Sequence, residues 1–473
     1  MKKIFVFALC LILLVGCFNG CGTAAESETA ETTEAPVTGL QVGFSRVDVT
    51  PTYSVHVAGT DTKNRESSGF RDPITISCIA FSMDGETFLV YTMDYLLTED
   101  NYTVKAEEKI TEATGIPADR IIMNCTHTHS GPAIAYSYDS SATYREQFNK
   151  AAVKAANAAI EDMAAAQVYG ANADAESLVF VRHYEMENGT FAGANYGSFS
   201  GAIKGHAYEG DDQIQILRMT REGKKDVVLV SNPAHATFVG GTDLSADIAY
   251  SVRNHIEENA NCHVAYFIGA AGDQVPTSRI DAENPAKTYL EYGQRMGDIV
   301  LDTLSTLEAL PAESIRLTTQ SYTGKTIKEG VDRLEDAKKV VEVINQYGNS
   351  ANESKAAASQ YGFSSVYQAS AIVTRSKRSD TATMTLNILA FGDTAMVFAP
   401  YEMFSESGKY IKENSPYPMT FIVACSENHQ GYMPTVNGFR VECYETHVTV
   451  YERGTAEILE KLYVELLTST RAQ

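Results

Sequence analysis

Arg120-Ile121-Ile122-Met123-Asn124-Cys125 runs without a break into Thr126-His127-Thr128-His129-Ser130-Gly131-Pro132. The first six residues read as a short, largely apolar strand, and Gly131-Pro132 ends it. Two histidines therefore stand at the end of a strand, where ligand sites form in sheets covered by helices. Unless the chain bends there, His127 and His129 are not expected to share one ion, so the pair is read as supplying one ligand.

The pattern repeats outward from this stretch. Upstream, Leu40 to Val49 alternates apolar and polar residues as a half-buried strand does. Ile74 to Met83 and Thr87 to Met93, joined by Asp84-Gly85, read as a hairpin. Thr103 to Thr114 is amphipathic and stops at Gly115, a helix C-cap signal. Downstream, Tyr144 to Ala165 is an Ala-rich helix. Strands follow at Leu178 to Arg182, Gln213 to Met219, Asp226 to Ser231 and His263 to Ile268, with helices at Ala246 to Glu258 and Thr288 to Leu307. Residues 331 to 370 are polar and helical, an insertion or lid. Thr383 to Ala390, Thr394 to Phe398 and Met419 to Ala424 return to strand character, and Glu452 to Thr468 closes the chain as a helix. Interleaved strands and helices predict an α/β protein with a large mixed β-sheet core flanked by helices, a single domain over residues 39–473.

The N-terminus has a separate meaning. Lys2 and Lys3 precede an apolar run, Ile4 to Val15, too short to span a bilayer. Leu14-Val15-Gly16-Cys17 follows, the layout of a bacterial signal peptide (1–16) with a lipobox whose cysteine is lipidated. Residues 17–38 are then a lipidated start and an Ala, Glu, Thr and Ser tether that buries too little apolar surface to fold. These features predict an extracytoplasmic protein of the bacterial cell envelope, anchored to the membrane through lipid on Cys17. The formal charge is −22, with 60 acidic against 38 basic residues. Such a surface repels phosphate backbones, which excludes nucleic acid as a partner, and no obligate protein partner is evident. No C-x-x-C pair occurs among the eight cysteines, which argues against a thiolate zinc finger. Cys125 and Cys262 lie in strand-like runs and read as small buried hydrophobes.

Other strands end as the first does. His235 follows Asp226 to Ser231, and Asp273 follows His263 to Ile268. Glu402 follows Thr394 to Phe398, and Glu427, His429 and Tyr432 follow Met419 to Ala424. Two neutral imidazoles and a carboxylate are the ligand set of a catalytic zinc that keeps one position open. Asp94 and Asp273 read as carboxylates that orient a histidine. His429, three residues before Tyr432, reads as a ligand or its neighbour. His56, His206, His255 and His263 read as surface or core residues. No G-x-S-x-G elbow occurs, which weakens a serine hydrolase reading.

Taken in order, these segments resemble the N-terminal catalytic domain of the neutral/alkaline (non-lysosomal) ceramidases. Thr126 to Pro132 is similar to that family's T-H-T-H-S-G-P run. His235-Ala236-Thr237, Gly272-Asp273 with Pro276, Pro400 and Glu402 with Gly408, and Tyr432, Thr435, Tyr444 and Glu445 match further segments between Val42 and Glu452. The resemblance implies one Zn2+ per chain held by His127, His235, Glu402 and Tyr432. It also implies His129 as proton carrier, Arg182 with Tyr432 at the developing oxyanion, and Tyr444 lining the pocket for a small-molecule or lipid substrate. It implies hydrolysis of N-acylsphingosine to fatty acid and sphingoid base.

This chain departs from the family at recognition positions. Val275 stands where the family has a substrate-contacting serine, Phe439 where it has a tyrosine, and the residues around Gly408-Lys409 differ. A zinc hydrolase acting on another amide or an ester therefore stands beside the ceramide reading. A non-enzymatic solute-binding lipoprotein would share the envelope features but not the ordered strand-end residues.

Overall fold

The computed structural model describes residues 39–59, 65–175, 177–193, 201–280 and 285–472. The expected signal peptide, the lipidated Cys17 and the tether lie outside the described residues. Among the described residues, no helix is long and apolar enough to cross a membrane.

The larger sheet is built from β1 (Gln41–Asp48), β2 (Thr75–Met83), β3 (Glu86–Met93), β4 (Ile121–Cys125), β5 (Ala164–Asp174), β6 (Gln213–Arg221), β7 (Asp226–Asn232) and β8 (Cys262–Ile268). Their order is β8-β7-β6-β5-β1-β2-β3-β4. β3 and β4 run parallel, as do β7 and β8; the other neighbours are antiparallel. A second sheet carries β9 (Ile315–Lys325), β10 (Thr381–Phe391), β11 (Thr394–Phe398) and β12 (Met419–Val423), in that order, with β11 and β12 parallel.

Alternation along the strands explains how the sheets stack, because successive side chains point to opposite faces. On β2, Ile79 and Phe81 meet Leu389, Phe391 and Phe421 of the second sheet. Cys78 and Ala80 point the other way, into a core with residues of α1 (Asp100–Thr114) and α2 (Asp139–Glu161). On β7, Leu229 faces the second sheet while Val228 and Val230 pack with α3 (Ile248–Asn259) and α4 (Tyr289–Thr303). Each fully buried phenylalanine at the sheet–sheet contact contributes roughly 1.5–3 kcal/mol. Residues 331–377 hold a short 3-10 turn and helices α5 (Leu334–Tyr347), α6 (Asn352–Gln360) and α7 (Val366–Lys377), which share a core of Ala337, Val340, Phe363 and Ile372. Beyond them, α8 (Ser405–Asn414), the short α9 (Tyr444–Val448) and α10 (Thr455–Arg471) follow; α8 and α10 cover the outer face of the second sheet. The α/β expectation holds in a four-layer form: helices, sheet, sheet, helices.

Two local expectations change, and one strand, β9, appears where none was expected. Ala164 to Asp174 is a strand, not a helix end, because it pairs with β6 over nine residues. β9 emerges from a polar run because it pairs with β10 along its whole length. The strand expected at Leu178 to Arg182 shrinks to Phe180–Val181, which pairs among the described residues with Gln274–Val275. All five cysteines of the described residues are buried and free.

Candidate metal centre and active site

The site lies at the carboxyl ends of the three parallel pairs. Those ends are tied together across the sheets. The Ala424 amide donates to the Ile268 carbonyl at 2.9 Å, and the Cys125 amide to the Cys425 carbonyl at 3.3 Å. Loops leaving β3, β4, β7, β8, β11 and β12 therefore meet at one place. Glu402-Met403 and Tyr432-Met433 form a further two-residue parallel bridge, in which Glu402 is paired with Tyr432.

The histidine stretch is a turn rather than a continuing strand. His127 has φ +61°, in the left-handed region that non-glycine residues seldom adopt. Gly131 packs so tightly that a Cβ there would sit 2.6 Å from the Asp94 carbonyl oxygen. The chain does bend there, and the two rings lie close together. Alternate residues of an extended chain share a face, and the bend at His127 brings the rings closer still. Their centroids are 5.1 Å apart, and nitrogens of His127, His129 and His235 all lie within 4.8 Å of one another.

Protons decide what this cluster can hold. His127 Nδ1 lies 2.8 Å from the Leu96 carbonyl, and His235 Nδ1 lies 2.6 Å from the Ala271 carbonyl. A carbonyl only accepts, so each Nδ1 carries the proton and each Nε2 offers a lone pair. The two Nε2 atoms are 3.2 Å apart, and Glu402 Oε2 is 3.3 Å from the first and 3.2 Å from the second. Tyr432 Oη is 3.3 Å from His235 Nε2. Tetrahedral ligands at about 2.1 Å from a zinc ion stand about 3.4 Å from each other, so the spacing fits. Burial, followed by the Arg182 charge, pushes His235 down to about 4, which leaves it neutral at physiological pH. Burial opposes ionisation of Glu402, but the surrounding His127, His235 and His429 side chains outweigh it and hold the carboxyl well below its usual range. A neutral His235 imidazole beside an anionic Glu402 carboxylate is a pairing that suits a divalent cation.

Around this centre the other expected residues take distinct places. Burial, then the neighbouring His127 and His235, pushes His129 well below an ordinary imidazole, and its buried Nε2 has no hydrogen-bond partner among the described residues. Arg182 donates to the Gly272 carbonyl at 2.7 Å and to Tyr432 Oη at 3.3 Å, and it forms a buried ion pair with Glu445. Glu445 in turn lies 3.3 Å from His183 Nε2. Tyr444 packs edge-on to Tyr432 and lines a cleft of about 1260 Å³ together with His127, His129, Arg182, Glu402 and Tyr432. His429 Nδ1 accepts from the Gly431 amide at 3.2 Å, which turns its Nε2 towards Glu402 Oε1 at 3.5 Å. His429 thus faces the carboxylate oxygen that the other two histidines leave free.

Asp94 and Asp273 do not orient a histidine. Asp94 accepts both guanidinium nitrogens of Arg253 at 2.8 Å and the Thr75 amide at 2.9 Å; its link to the motif is the Thr126 hydroxyl at 3.3 Å. A fully buried guanidinium requires such a counter-charge. Asp273 accepts the Ser405 amide at 2.7 Å and the Ser405 hydroxyl at 2.8 Å, fixing the start of α8 just after Glu402. Gly272 lets this segment close on Glu402, since a Cβ there would lie 2.7 Å from the Glu402 carbonyl oxygen. The carbonyls of Leu96 and Ala271, and the His183–Glu445–Arg182 chain, carry no local signal in the sequence; they exist only where distant segments meet.

Fold and site together define an α/β protein of two stacked sheets whose parallel strand ends present a His, His, Glu and Tyr cluster fit for a divalent metal. That fold is the one found in neutral ceramidase structures. The neutral ceramidase from Pseudomonas aeruginosa superposes with a TM-score of 0.68 at 13% identity, over 92% of this chain and 75% of that one. A ceramidase complexed with C2 gives 0.67 at 13% identity, over 92% and 76%. No family model and no curated protein sequence matches the chain.

Proposed function

We propose that this chain is a zinc-dependent hydrolase that cleaves the amide bond of an N-acyl substrate, acting outside the cytoplasm from a lipid anchor on Cys17. The observation that carries this reading is the convergence of His127, His235, Glu402 and Tyr432, with the Nε2 lone pairs of both imidazoles turned towards the carboxylate. Those four side chains would hold the ion. Zinc bound there supplies Lewis acidity, which makes water a nucleophile near neutral pH.

The protein's own groups supply the rest. His129, neutral and with an unengaged Nε2, takes the proton of the attacking water and returns it to the leaving amine. Arg182 and the Tyr432 hydroxyl stand together at the cluster, placed to stabilise the oxyanion that develops on the carbonyl. No covalent acyl intermediate is required. Val275 lines the same cleft where the resemblance leads one to expect serine, which favours an N-acyl compound other than ceramide itself. Elemental analysis of the purified chain, combined with a panel of ceramides and simpler N-acyl amines, tests the proposal. About one zinc per chain with chelator-sensitive amide cleavage supports it; metal-free protein that turns over nothing ends it.

A further inference from the structure

Arg378 follows α7 and lines the same cleft as the cluster. Among the described residues its guanidinium makes one hydrogen bond, a long one of 3.4 Å from Nη1 to the Thr449 carbonyl. It forms no ion pair with any of them, although the chain carries 60 acidic residues against 38 basic ones. Burial lowers its pKa, and the opposing influence is the Tyr451 ring rather than any carboxylate. A half-buried cation without a counter-ion is costly unless something else supplies the charge. The other arginines that line the cleft are engaged. Arg182 is paired with Glu445, and Arg65 donates to the carbonyls of Ala58 and Gly241.

Arg378 is also linked to the segment that carries Tyr432. Thr449, whose carbonyl it faces, donates its hydroxyl to the Tyr432 carbonyl at 2.9 Å. One residue thus separates the guanidinium from the Tyr432 backbone. The cleft that Arg378 lines carries the hydroxyl and amide side chains of Thr326, Asn349, Ser379 and Thr381 beside the apolar Ala382, Val448 and Val450. The Thr326 hydroxyl is committed to the Ser379 carbonyl at 2.6 Å, and the Asn349, Ser379 and Thr381 side chains can donate hydrogen bonds to an oxyanion.

We infer that the substrate carries an anionic group, a carboxylate or sulfonate on the amine side of the scissile amide, and that Arg378 binds it while the cluster holds the carbonyl. The inference rests on the hydrolase reading but is separable from it by experiment. Binding of N-octanoylglycine, N-octanoyltaurine and the neutral N-octanoylglycinamide to the metal-loaded chain is measured by calorimetry, alongside kcat/KM for each. Wild type is expected to bind at least one anion about 10- to 100-fold more tightly than the neutral amide, the range of a charge-assisted hydrogen bond. R378Q should abolish that ratio and R378K should restore part of it, with the thermal midpoint showing that both variants fold. A wild-type ratio near one, or a ratio that R378Q leaves intact, overturns the inference. Equal hydrolysis of charged and neutral amides removes the inference and keeps the hydrolase; Arg378-dependent binding without hydrolysis does the reverse. The taurine and glycine arms distinguish sulfonate from carboxylate.

Discussion

His127 Nε2 and His235 Nε2 lie 3.2 Å apart although 108 residues separate them in the chain, and each ring has committed its proton to a backbone carbonyl on its far side. Two lone pairs so placed, beside the Glu402 carboxylate, repel one another unless a cation stands between them.

Removal of either imidazole should therefore release the metal. H127A and H235A are each expected to retain less than about a tenth of the wild-type zinc after dialysis, with amide hydrolysis lost in parallel. Zinc content by elemental analysis checks this; full occupancy in both variants would show that the cluster is not the metal site.

His129 should behave differently. Its Nε2 has no hydrogen-bond partner among the described residues and its ring is held neutral by burial. H129A is therefore expected to keep its zinc while kcat falls about 10²–10⁴-fold, the usual contribution of a positioned acid–base group. Loss of zinc in H129A would make it a ligand instead.

The Arg182–Glu445 pair is 2% and 1% exposed. Breaking a buried pair strands the remaining charge, so E445Q is expected to destabilise the fold by about 3–5 kcal/mol in urea unfolding. It should also weaken oxyanion stabilisation, because Glu445 holds the guanidinium that reaches Tyr432. An unfolding midpoint equal to wild type would mean that the pair is not formed in solution.

Glu427 predicts a pH dependence. Burial, reinforced by Glu107, pushes its carboxyl up to about 8, and its Oε1 has no hydrogen-bond partner among the described residues. A folded-state pKa above the unfolded value means that the proton is bound more tightly by the folded chain. Its contribution favours folding at low pH and is lost as pH rises from about 4.5 to about 8. E427Q removes the ionisation while keeping the shape. After discounting for the partial exposure of the residue, it should stabilise the protein by on the order of 2 kcal/mol at pH 9 and change little at pH 5. Equal effects at both pH values would place the ionised group in water.

Much of this architecture is legible in the order of residues. Val42, Ile79 and Phe81 alternate with residues of the opposite face, and alternation is a local consequence of the pleat. His127, His235, Glu402 and Tyr432 each follow an apolar strand, which is visible as a run of residues ended by glycine, proline or a polar cluster. Polar strands are not legible in the same way. β9 is held by its pairing with β10 rather than by its own composition, and Ala164 to Asp174 joins β6 in spite of an Ala-rich start.

By itself the sequence determined which side chains stand at strand ends, because strand length and breaking residues are set by neighbours along the chain. Only the tertiary structure decided that those ends share one place, that His127 turns in the left-handed region, and that Asp94 serves Arg253 rather than a histidine. The reason is physical: a hydrogen bond or ion pair depends on separation in space to within about an ångström, and residues a hundred or more apart carry no local record of it.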